Sequence, residues 1–277
     1  MKTLSFIKQA SFKNPHPQED FFLISQKYPI FVVADGVSLN FDKDSDYPKK
    51  SGAGEVAKIF CEVVIREAEK KYDNFSEKNL EEIFDIGNKA VLEYNVSRGV
   101  TKSTINYWNA DLFSATTAFL LIKDGDAYWW SLCDSGVLMF DKKGRKIFSS
   151  PAGWVTFERN KPENWDSMSE KQKIGTLHKD YRNGLGRKGE PMGYGVVDGE
   201  ETARFYLNTG VLDAGTDNLI FVYTDGFENY FNLDQFIDIF KLWPSDLSTK
   251  LEDFISEKSK TDPKKYGSEK TLIAITN

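Results

Sequence analysis

Ile30-Phe31-Val32-Val33-Ala34-Asp35-Gly36 is a run of β-branched and aromatic residues closed by an acid and a glycine. A run of that length and composition reads as a buried strand. At its tip Asp35 is held rigidly at the sheet edge, and Gly36 lets the backbone turn and leaves its carbonyl open to a ligand. The phrase recurs far downstream as Leu219-Ile220-Phe221-Val222-Tyr223-Thr224-Asp225-Gly226. One Asp-Gly pair by itself marks only a hairpin end. Glu19-Asp20, directly before the apolar run Phe21-Phe22-Leu23-Ile24, adds a third acidic strand end. Three such ends from distant parts of one chain point to a shared metal site rather than to three turns.

The chain has 277 residues, of which 40% are hydrophobic and 14% aromatic, enough for a packed core. It reads as one domain over 1–277. No apolar stretch reaches the roughly 18 residues a membrane span needs, and Lys8 interrupts the amino terminus before a signal-peptide core forms. A cytoplasmic protein without membrane partners is expected. Cys61 and Cys133 match no metal or redox spacing, and Cys61 falls on the apolar face of a predicted helix. A net charge of −6 without a basic stripe argues against nucleic-acid binding.

Along the chain, Leu4 to Phe12 reads as a first strand, ended by Asn14-Pro15-His16-Pro17. Asp42, Asp44 and Asp46 alternate as in a calcium loop, but Tyr47 and Ala53 stand where the loop's glycine and glutamate belong, so a solvated loop is expected. Two amphipathic helices follow, about Ser51 to Lys71 and Ser76 to Arg98. From Ala115 to Phe148, short apolar runs separated by Asp, Gly and Lys turns predict an antiparallel meander, with Asp134 after one of its strands. Residues 150–201 are polar and weakly periodic, which suggests a flap or binding surface. Within them Gly184-Leu185-Gly186-Arg187-Lys188-Gly189 imitates a dinucleotide fingerprint, but no strand precedes it and Pro191 blocks a helix. A basic loop is expected there, with Arg182, Arg187 and Lys188 able to meet an anionic substrate. Strands at Arg204–Leu207, Leu219–Thr224 and Thr271–Thr276 and helices at Phe231–Leu242 and Leu247–Lys260 complete the reading. Strand runs and helix runs are segregated, so the class is α+β or a layered sandwich.

In order, Glu19-Asp20, Ala34-Asp35-Gly36, Ser51-Gly52-Ala53-Gly54-Glu55-Val56-Ala57, Ser114-Ala115-Thr116-Thr117-Ala118, Leu132-Cys133-Asp134-Ser135, Tyr223-Thr224-Asp225-Gly226 and Lys270-Thr271-Leu272-Ile273-Ala274-Ile275 resemble the metal-dependent protein phosphatases of type 2C. The resemblance spans nearly the whole chain. It implies a four-layer α/β/β/α sandwich of two antiparallel sheets flanked by helices, with two Mg²⁺ or Mn²⁺ ions at one end. By the same resemblance Asp35 bridges both ions, Gly36 offers its carbonyl, Glu19 and Asp20 serve one ion and Asp225 the other, and water activated between them attacks a phosphoserine or phosphothreonine. A phosphorylated protein is then the substrate and a counteracting kinase the implied partner.

Departures from the pattern define further candidates. Ser268 stands where the family has an aspartate ligand, and the neighbouring Glu269 is the candidate replacement. Pro15 occupies the position of the family's phosphate-binding arginine, leaving Lys13 or His16 to take its place. Val37 follows the Asp-Gly where animal members carry a general-acid histidine, and His16 is the histidine nearest in sequence. Asp134 matches an acid that contributes to a third, weaker metal in some members. With Asp35 and His16 it completes the catalytic candidates. The alternative function is a phosphatase-fold binding or regulatory module weakened in catalysis by Ser268.

Overall fold

In the computed structural model, which describes residues 1–11, 17–37, 50–105, 112–241 and 243–276, the buried runs become ten strands in two five-stranded antiparallel sheets. The first sheet is ordered β1 (Lys2–Lys8), β10 (Lys270–Thr276), β9 (Leu219–Tyr223), β6 (Gly136–Phe140), β7 (Lys146–Ser149). The second is β2 (Phe21–Ile24), β3 (Ile30–Gly36), β4 (Ala115–Lys123), β5 (Asp126–Leu132), β8 (Asn208–Asp213). Central strands such as β3 show no polar alternation because both their faces are covered. Phe31 and Val33 meet Ile220, Val222, Ile273 and Ile275 of the other sheet. Ile30, Val32 and Ala34 face the opposite way, onto α1 (Gly52–Lys71) and α2 (Lys78–Ser97). The outer face of the first sheet is covered by α5 (Asp234–Lys241) and α6 (Leu247–Thr261), through Phe236, Phe240, Leu251 and Ile255 on Phe221 and Leu272. The layers are therefore helix, sheet, sheet, helix, as the resemblance implies.

Aromatic packing locks each layer. Phe119 stacks on Trp130 at 4.1 Å, with Phe60 and Phe84 edge-on to the same indole. Truncating Phe119 to alanine would cost about 3–5 kcal/mol. Ser51 caps α1, its hydroxyl accepting from Ala53 N and Gly54 N.

Four expectations are corrected. The first strand stops at Lys8. The meander is divided: β4 and β5 form a hairpin through Asp124-Gly125, both at positive φ, and the chain then crosses at Cys133–Ser135 to the other sheet, where β6 pairs with β7. The strand expected at Arg204–Leu207 is a 3₁₀ turn over Glu201–Tyr206, and the strand is Asn208–Asp213. That segment lies on a sheet edge with few apolar side chains, so burial imposed little period on it. Residues 150–201 are not irregular throughout. They form α3 (Val155–Asn160), α4 (Glu170–Thr176) and a π-helical turn at Leu177–Tyr181, around a small core of Phe157, Tyr181, Tyr194 and Val196 that also takes in Cys133. The glycine-rich 184–189 stretch folds back on itself through a Leu185–Pro191 bridge, with no helix after it. Asp42, Asp44 and Asp46 lie outside the described residues.

Candidate active site

The acid-tipped strands all end on one side of the sandwich. Asp35 is the penultimate residue of β3, Asp225 follows β9 after Thr224, Asp20 immediately precedes β2, Glu269 immediately precedes β10, and Asp134 sits in the crossing between β5 and β6. A cavity of about 340 Å³ opens there. Asp35, Asp134, Asp225 and Glu269 line it from the sheets, and Trp154 and His178 line it from the 150–201 insertion. Gly36, Val37 and Ser268 lie in the same wall.

The two Asp-Gly pairs are not hairpin turns. Gly36 remains in the strand, paired with Ala115, and its N–H donates to Glu19 O at 3.2 Å. A side chain there would come within 2.8 Å of the backbone of Ala53 and of Glu19, so the glycine permits the start of α1 and the Glu19 segment to close on the strand tip. Gly226 lies in a 3₁₀ helix starting at Asp225, and a Cβ on it would overlap the backbone oxygen of Glu269.

Buried carboxylates crowd this end. Asp35 is held well above the usual carboxylate range, first by burial and then by the charges of Asp20, Asp225 and Asp134. Burial, then the charge of Glu269, lifts Asp20 from 3.8 to about 7. Burial and Asp134 lift Asp225 to about 7 as well, although its exposed face on the cavity lets water screen part of that effect. Asp20 is tied across the sandwich: Thr224 Oγ1 donates to its Oδ2 at 2.8 Å, while Asp20 Oδ1 and Asp134 Oδ1 are buried with no hydrogen-bond partner among the described residues.

Glu19 and Glu269 are engaged differently. Glu19 is buried and accepts from the Ser51 hydroxyl. Glu269 Oε1 accepts from Glu19 N at 2.5 Å and also from Asp20 N and Gln18 Nε2, so one carboxylate oxygen gathers the backbone that carries the first acidic pair. Among the described residues no three Asp, Glu, His or Cys side chains are disposed to hold a metal ion as they stand. The donor set still fits a hard cation by its chemistry. The side-chain donors are all carboxylate oxygens, two of them are orphaned on burial, and the charges that raise one another's pKa are what a dication would relieve.

Lys13 and His16 lie outside the described residues. A histidine distant in sequence, His178, lines the cavity. Arg182 does not face a substrate: it is buried against Asp198 at 3.4 Å. Sequence reasoning also missed Trp154, whose Nε1 donates to Asp134 Oδ2 at 3.2 Å, and gave no site role to Lys270. Lys270 is buried, donates to Ser268 O and is pulled down to about 8, chiefly by burial and by Lys8, against the acids' opposing pull. A charged residue opening an apolar strand was its visible signal. Burial pushes both thiols, Cys61 and Cys133, well above their ordinary range, as inert structural cysteines.

Two antiparallel sheets between helix layers, with acids gathered at one end, define a phosphatase fold of the 2C type. The protein phosphatase 2C family model matches residues 10–253, and the chain belongs to that family. Solved structures agree in fold. The catalytic domain of the serine/threonine phosphatase PstP, in complex with two manganese ions, superposes with a TM-score of 0.57 at 10% identity, covering 99% of this chain and 96% of that one. PppA of Pseudomonas aeruginosa, a regulatory component of its type VI secretion system, gives 0.59 at 14% identity, covering 99% and 96%. Stp1, a serine/threonine phosphatase of Staphylococcus aureus, gives 0.58 at 12% identity, covering 100% and 94%. No curated protein matches the sequence. No helix among the described residues is long and apolar enough to cross a membrane.

Proposed function

We propose that the chain is a metal-dependent phosphatase that hydrolyses phosphoserine or phosphothreonine in proteins. The observation that carries this reading is the meeting of Asp35, Asp134 and Asp225, from separate strand ends, at one cavity, with the buried Asp20 carboxylate pressing its charge on Asp35 behind them. Asp35 would be shared between two Mg²⁺ or Mn²⁺ ions, with Asp20, Glu19 and the Gly36 carbonyl serving one and Asp225 the other. When bound, the ions supply positive charge at the phosphoryl oxygens and acidify water for in-line attack. The chain's own part is to hold the carboxylates on rigid strand tips and to wall one side of the cavity with Trp154, Tyr194 and Val37. A phosphorylated protein is the substrate and a kinase its counterpart, in a cytoplasm that keeps the two buried, unpaired cysteines reduced.

A second reading, a phosphoprotein-binding module without turnover, is favoured by Ser268 and by the commitment of Glu269 Oε1 to backbone N–H groups. One assay separates them: release of phosphate from a phosphoserine peptide with Mn²⁺, with chelator, and in Asp35→Asn. Metal-dependent turnover abolished by Asp35→Asn supports the enzyme. Peptide binding without phosphate release in folded protein supports the module.

A further inference from the structure

Trp154 is a third exposed, yet it is fixed on three sides. Its ring stacks on Tyr194 at 4.7 Å with a 23° interplanar angle, and Phe157 meets it edge-on at 5.9 Å. The residue before it is Gly153, where any Cβ would overlap the Cys133 backbone, so the insertion is pressed directly against the crossing that carries Asp134. Cys133, at φ 61°, takes the left-handed conformation that makes the crossing possible. From this anchored position the indole Nε1 donates to Asp134 Oδ2 at 3.2 Å, while Asp134 Oδ1 is buried with no hydrogen-bond partner among the described residues.

A carboxylate with one oxygen hydrogen-bonded to a stacked ring cannot turn freely. Its second oxygen, stripped of water and unpaired, is costly unless a positive charge meets it. We propose that Trp154 is a positioning residue for Asp134: it holds Oδ2 so that Oδ1 is kept as a ligand for a divalent cation, and the insertion thereby sets the site's cation affinity. This rests on the metal-dependent reading above. A neighbour that orients a ligand through its far oxygen typically changes metal affinity by 10–100-fold. The 150–201 segment is then part of the cation site as well as its cover.

The test is a Mn²⁺ titration followed by the electron paramagnetic resonance of the free ion, in wild type, Asp35→Asn, Trp154→Phe, Asp134→Asn and the Trp154→Phe/Asp134→Asn double variant. Phenylalanine keeps a ring to stack on Tyr194 and deletes only the N–H. The expected result is about tenfold weaker binding in Trp154→Phe and no further loss when it is added to Asp134→Asn. Unchanged affinity in Trp154→Phe, or a full additional loss in the double variant, overturns the inference. A wild type that binds no Mn²⁺ overturns both the inference and the metal-dependent reading, whereas a wild type sensitive to Asp35→Asn but not to Trp154→Phe overturns the inference alone. A second readout leaves wild-type packing intact. The Trp154 indole N–H resonance shifts on Mg²⁺ addition in wild type and not in Asp134→Asn; a resonance that stays put on Mg²⁺ addition overturns the inference.

Discussion

Thr224 donates its hydroxyl to Asp20 across the two sheets at 2.8 Å and accepts the Thr271 backbone N–H at the same distance, so one hydroxyl satisfies a carboxylate of one sheet and an amide of the other. Thr224→Val keeps the shape and removes both bonds. It leaves a buried amide and a buried carboxylate oxygen unpaired, and should cost about 2–3 kcal/mol in urea unfolding without metal. Thr224→Ser should recover most of it. A valine variant as stable as wild type would refute this bridge.

Glu269 and Ser268 make a second pair. The carboxylate of Glu269 clasps the Glu19 and Asp20 amides, so Glu269→Gln should weaken metal use by loosening Asp20, even where Glu269 is no ligand itself. Ser268→Asp adds a charge at the cavity wall and should lower the half-saturating Mn²⁺ by about an order of magnitude. The measurement is phosphopeptide turnover against Mn²⁺ concentration. If Ser268→Asp left that curve unmoved, Glu269 or solvent would already supply the missing ligand.

Acidity gives a third prediction, with a definite sign. Asp20 titrates near 7 in the metal-free fold and near 3.8 when unfolded, and Asp35 is displaced in the same direction. Between those values the folded chain binds protons that the unfolded chain has released, so this contribution to stability is fully present below the unfolded pKa and is lost as pH rises through the folded one. In chelator, the protein should melt at a higher temperature at about pH 5.5 than at about pH 8. Mn²⁺ binds the deprotonated acids, so its stabilisation should grow over the same interval. Thermal scans with chelator and with Mn²⁺ at both pH values check this, and a chelated protein more stable at the higher pH would contradict it.

Gly226→Ala is the fourth. The added methyl would collide with the Glu269 carbonyl beside Asp225, and backbone on both sides cannot move independently. The expected loss is about 3 kcal/mol. Ala at Gly99, where φ is +73° and nothing lies within 4 Å, should cost only about 1 kcal/mol. Equal unfolding midpoints for the two variants would show that the close approach is unimportant.

The buried strands were legible because burial on both faces leaves an unbroken apolar run, as in β3 and β9. The acids at their tips were legible for the same reason, since each run stops abruptly at a charge. What escaped was whatever burial did not imprint. Strand β8 is an edge with Gly210 at its middle, and neither the hairpin turns nor the periodicity say which sheet receives β6 and β7. Trp154 and His178 belong to a segment whose small core draws on side chains spread from Val37 to Val196, so no local pattern announces them. Arg182 looked available because a sequence does not show that Asp198 is waiting for it.

The passage of the backbone from one sheet to the other at Cys133–Ser135 has a mechanical meaning. Asp134 rides on the span between two plates, and its acidic neighbours are fixed to one plate or the other: Asp35 to the second sheet, Asp225 to the first. If the plates shear, the gaps among these three acids change together. The cluster is thus a gauge of sheet alignment, and whatever neutralises it acts as a rivet through both plates.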